Sequence, residues 1–107
     1  MAEKSPRRLK LEESLAADPS DSFLRYGLGV QCLREGDVEM GRSILMELIH
    51  DFPDDSIAAH QQLGQSFLET EEYETASRYL REGVLKARVR GDWHAAAEME
   101  GLLGQLP

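Results

Sequence analysis

The stretch YGLGVQCLREGD, Tyr26 to Asp37, sets two glycines two apart and a third nine residues after the first. Closely spaced glycines let a backbone approach a phosphate, so a nucleotide-cradling loop is the first chemistry to weigh. A dinucleotide fingerprint needs its third glycine where Cys32 stands and a strand before Gly27, and neither is present. His50, His60 and His94 with Cys32 are the next candidates. No two of them share the i, i+4 spacing of paired helical ligands, so no metal site is expected. Cys32 is the single cysteine, which excludes an internal disulfide and a cysteine zinc cage. Its place on an apolar stripe reads as a small buried group rather than a nucleophile. Glu71 and Glu72 fall in an expected exposed turn with nothing to raise a pKa. Trp93 reads as packing on the helix before it rather than as a stacking platform for a cofactor. No enzyme activity, catalytic residue or cofactor is expected.

The elements around these residues follow from apolar periodicity. Phe23, Tyr26, Val30 and Leu33 form one stripe, and Leu24, Leu28 and Cys32 a second, so Ser22 to Glu35 predicts a helix with a wide buried arc. Asp21 or Ser20 caps its start; Gly36 and Asp37 stop it. Further helices are predicted over Val38 to His50, Ser56 to Thr70, Tyr73 to about Arg88 and Trp93 to Leu106, with one more over Arg7 to Ala17 ahead of Pro19. In this leading helix Leu9, Leu11 and Leu15 should face inward, with Lys10, Glu12 and Glu13 outward. The chain is expected to be all-α.

Composition narrows the partners. Twelve Lys and Arg against 20 Asp and Glu give a net charge of −8, which disfavours a nucleic-acid backbone as ligand. No apolar run approaches the ~20 residues of a membrane span, and MAEKSPRRLKLEE has no apolar stretch behind its basic residues, so a soluble cytoplasmic protein is expected. Between Glu35 and Glu74 Arg42 is the lone base among many acids, while Lys4, Arg7, Arg8 and Lys10, and again Arg78, Arg81, Lys86, Arg88 and Arg90, form basic ends.

Internal repetition selects among helical bundles. After Leu28-Gly29 come Cys32, Gly41, Leu45 and Pro53 at steps of three, nine, four and eight; after Leu63-Gly64 come Phe67, Ala76, Leu80 and Arg88 at the same steps. Arg7, Leu11 and Pro19 repeat the last two steps alone. This spacing resembles the tetratricopeptide repeat (TPR) family, whose unit is a helical hairpin of about 34 residues. Gly36-Asp37-Val38 and Glu71-Glu72-Tyr73 look like that family's turn between helices. Arg25 and His60 stand where the family favours Trp, Cys32 and Gly41 replace its aromatic and Ala, Arg88 replaces its second Pro, and one residue is added near Asp54 to Ser56.

The resemblance implies antiparallel hairpins stacked as a short right-handed superhelix, an α-solenoid. Residues 1–6 would be a flexible N-terminus and 7–107 one domain: helix 7–17, repeats 22–55 and 57–90, and capping helix 93–106. Leu28, Gly29, Leu63, Gly64, Phe67, Ala76 and Pro53 would be packing positions, the glycines letting a hairpin's helices approach. First helices would line a concave groove for a peptide or protein segment: Phe23, Tyr26, Val30, Leu33 and Arg34, then Ala58, Gln61, Gln62, Gln65, Leu68 and Glu69. Relatives that grip a chaperone tail's carboxylate use Lys, Asn and Arg where this chain has Tyr26, Val30, Ala58 and Gln62, so that use is not expected. Short repeat arrays need covered ends, and the alternative reading is a self-associating subunit, a weak homodimer pairing basic end with acidic middle.

Overall fold

The computed structural model describes residues 3–107, and among them the chain forms helices and no strand. The helices are α1 (Pro6–Ala17), α2 (Ser22–Arg34), α3 (Val38–Asp51), α4 (Ile57–Glu69), α5 (Tyr73–Arg90) and α6 (Trp93–Leu103). They fall into two compact units, Met1–Phe52 and Pro53–Pro107. Among the described residues no helix is long and apolar enough to cross a membrane.

Local chemistry sets the helix ends. The Ser5 hydroxyl accepts the Arg8 N–H at 3.1 Å, with Pro6 opening α1. Asp21 accepts the Leu24 N–H and Asp92 the Ala95 N–H in the same way for α2 and α6. Three helices stop by one device. A residue turns left-handed, and the next N–H reaches back five residues: Asp37 to the Cys32 carbonyl (2.9 Å), Glu72 to Phe67 (2.9 Å), Asp92 to Ala87 (2.8 Å). Gly36 (φ 84°) and Gly91 (φ 75°) take the left-handed position freely, whereas Glu71 (φ 60°) holds it against side-chain crowding.

Several helix ends differ from expectation by one to three residues, and the first and last have local causes. Residues 1–2 of the expected flexible segment lie outside the described residues, but Ser5 and Pro6 belong to α1 as its cap and first residue, because the cap hydrogen bond fixes them. The last helix ends at Leu103 rather than Leu106, since Gly104 is a poor helix former and the N–H groups of Gln105 and Leu106 reach back three residues rather than four.

In unit 1, α1 packs on α2, and α2 pairs with α3. The α2–α3 contact is built on glycine. A Cβ on Gly29 would lie 2.8 Å from Leu45, and one on Gly41 would lie 2.8 Å from Leu33 and 2.9 Å from the Gly29 carbonyl. Leu28, Cys32, Leu45 and Leu48 are buried around it. In unit 2, Gly64 lies beneath Leu80 with no room for a methyl. Leu63, Phe67 and Ala76 are buried beside it. Leu80, Val84 and Ala87 of α5 then meet Ala96 and Met99 of α6, with Ile57, Leu68, Leu102 and Leu103 packed around them. Pro53, read from sequence as a packing residue, is exposed; it breaks the chain after α3, and its carbonyl accepts the Lys86 ammonium.

Candidate functional site

The expected binding residues lie on one face of α2 and one face of α4. On α2, Phe23 is 83% exposed, Arg34 is exposed, and Tyr26 and Val30 are half-buried. Leu33 is half-buried because it fills the space beside Gly41. On α4, Ala58, Gln65 and Glu69 are exposed and Gln62 half-buried. Gln61 is already engaged, its amide donating to Glu98 of α6 at 2.9 Å, and Leu68 packs against the α5–α6 core. The open part of the α2 face is therefore aromatic and aliphatic with Arg34 at its end, and that of the α4 face carries the amides of Gln62 and Gln65 beside Ala58 and Glu69.

The positions where the resemblance favours Trp are filled differently. Arg25 pairs with Asp51 at 2.9 Å and lies over the Phe52 ring at 6.0 Å. The contacts of His50 and then Arg25 hold the Asp51 carboxyl below its usual range. His60 is fully buried. Its Nδ1–H donates to the Ser56 carbonyl at 2.8 Å, Nε2 has no hydrogen-bond partner, and Glu82 lies 3.6 Å away. Burial lowers its pKa, against the pull of the Ser56 carbonyl. Tyr79 stands between His60 and Phe67, its ring stacked on the latter at 5.8 Å.

A polar cluster at the start of unit 1 was not anticipated from sequence. Arg8, expected as part of a solvated basic end, is buried. Its guanidinium pairs with Asp37 at 2.9 Å and lies near Glu12 (3.6 Å) and Glu35 (3.8 Å). Glu35 in turn accepts the Ser5 hydroxyl at 2.5 Å and the Gln31 amide at 2.8 Å. Those two donors, more than Arg8, hold the Glu35 pKa below its usual value. Leu9, expected inward, is half exposed, because the stripe facing α2 is Arg8, Leu11 and Leu15. The readable signal was that Arg8 precedes Leu11 by three and Leu15 by seven.

The remaining chemical candidates stay apart. Among the described residues no group of three or more His, Cys, Asp or Glu is gathered to hold a metal. Cys32 is buried, and burial pushes its thiol pKa up. Glu71 and Glu72 are exposed, Glu72 accepting the Thr70 hydroxyl. Trp93 corrects another expectation. It is 65% exposed rather than packed on α5, since as the first residue of α6 it points away while Ala96 and Met99 turn inward.

One more surface stands out on unit 2. Leu85 and Val89 are exposed on α5, Val89 at 89%, and with Asp54, Lys86 and Arg90 they line a shallow cavity of about 200 Å³. No protein-family model matches the chain, and no curated protein matches it.

Proposed function

We propose that the chain is a TPR-type interaction module, its hairpins stacked as a short right-handed superhelix that binds a polypeptide segment along the first helix of each hairpin and catalyses no reaction. One repeated contact carries this reading: Gly29 nests against Leu45, and Gly64, 35 positions later, nests against Leu80, with the same turn hydrogen bonds closing both hairpins. A family-like spacing that produced other contacts in the two hairpins would have no such support.

The choice of face rests on Phe23. An aromatic ring left 83% exposed, beside half-buried Tyr26 and Val30, is apolar surface that a partner's side chains would cover at a gain. The preferred segment is therefore hydrophobic or aromatic at the α2 end and able to hydrogen-bond amides at the Gln62 and Gln65 end.

The test is to select peptides from a random display library on the full chain and titrate the best into labelled protein. Amide shifts should centre on Phe23, Tyr26, Val30 and Gln65, and Phe23→Ser should weaken binding about tenfold, or about 1.4 kcal/mol. Shifts centred on Arg78 to Arg90 would defeat the assignment of the face.

A further inference from the structure

The outward surfaces of α3 and α5 have complementary content. From Arg81 to Arg90 the chain carries Arg81, Lys86, Arg88 and Arg90 against Glu82, with Arg90 paired to Asp55. Leu85 and Val89 share the outward arc with Arg81 and Arg88, an arrangement that solvation alone gives no reason for. From Val38 to Asp51 the balance is reversed, with Glu39, Glu47 and Asp51 against Arg42. Here the outward arc carries Glu39, Ser43 and Glu47, with Met46 at one edge and Met40 at the other.

We propose that the Arg81–Val89 face of α5 is an interaction surface whose partner is the Glu39–Glu47 face of α3 in a second copy of this chain. Charge and length both match. Glu39 and Glu47 are spaced by about 12 Å along their helix, and Arg81 and Arg88 by about 10.5 Å, at 1.5 Å per residue, a difference that arginine side chains absorb. The cavity beside Leu85 and Val89 accepts an apolar side chain, and methionine, unbranched and flexible, suits a shallow irregular recess. Arg88 now pairs with Glu100 at 3.1 Å, both half exposed, and such a solvated pair exchanges partners readily. Each face is small, so the association is weak, salt-sensitive and separate from peptide binding on α2.

Sedimentation of the full chain at about 10 to 500 μM, in low and high salt, reads it. The average mass should rise with concentration at low salt and return to monomer at high salt. Two charge-reversed chains sharpen the test: Glu39→Arg with Glu47→Arg, and Arg81→Glu with Arg88→Glu. Each alone should stay monomeric while keeping its helical circular dichroism, and mixing the two should restore association. A monomer mass at every concentration and salt overturns the proposal. So does association that neither reversal weakens, or a failure of the mixture to associate.

Discussion

Each unit completes a helical hairpin with one further helix, and the two do so with opposite chemistry. α1 is held on α2 by a buried guanidinium among three carboxylates, with a serine and a glutamine donating to Glu35. α6 is held on α5 by Met99 and Ala96 against Leu80, Val84 and Ala87. The glycines facing these helices differ in the same sense. A Cβ on Gly27 would lie 3.4 Å from Leu11, an ordinary contact, whereas one on Gly83 would run into the Met99 sulfur and lie 2.9 Å from the His60 Cβ. The apolar joint is tight; the ionic joint is looser and tied to its ionisation state.

Truncation should separate them most. Met99→Ala should cost about 2–5 kcal/mol and strip exchange protection from α6, leaving α2 and α3 amides unchanged. Arg8→Met removes the charge while keeping bulk, takes away the ion pair of Asp37 and leaves Glu35 its Ser5 and Gln31 bonds; about 1–3 kcal/mol is expected, read as lost protection in α1 alone. If both variants loosen the whole chain equally, the contrast between the joints fails.

Acid should act on the units in sequence. His60 has a folded pKa below its ordinary 6.5, so its stabilisation of unit 2 is complete above that pH and is lost as pH falls through the lowered value. Glu35 has a folded pKa below its ordinary 4.5, so its contribution to unit 1 is present above that pH and lost below it. Lowering pH from 7 should therefore weaken α4 to α6 amides before α1 amides. His60→Gln should flatten the upper part of the profile and leave the lower part alone. The glycines complete the comparison, down to the smallest effect at Gly27. Gly83→Ala should destabilise by about 1–3 kcal/mol through overpacking, and Gly27→Ala should be neutral or stabilise by up to about 1 kcal/mol, as chemical melts would record.

Much of this frame was legible in the residues. Apolar periodicity and cap residues located the helices to within a few positions, because those signals are local. The nested glycines could be read because Leu28-Gly29 and Leu63-Gly64 keep the same distance to Leu45 and Leu80. What escaped depended on partners distant in sequence. Arg8 looked like one of several N-terminal bases, and only the fold brings Asp37 and Glu35 to it. Gly83 matches Leu48 in the other hairpin, so repetition gave no hint that it must admit Met99. Trp93 was expected to pack on the helix before it, yet its position at the start of α6 turns it to solvent.

Cys32 offers a use beyond packing. It is the chain's one thiol, closed off within unit 1 and within electrostatic reach of Arg8. An alkylating reagent can tag it only during an opening of that unit, so the tagging rate is a chemical clock for such openings. Native mass spectra suffice to read it.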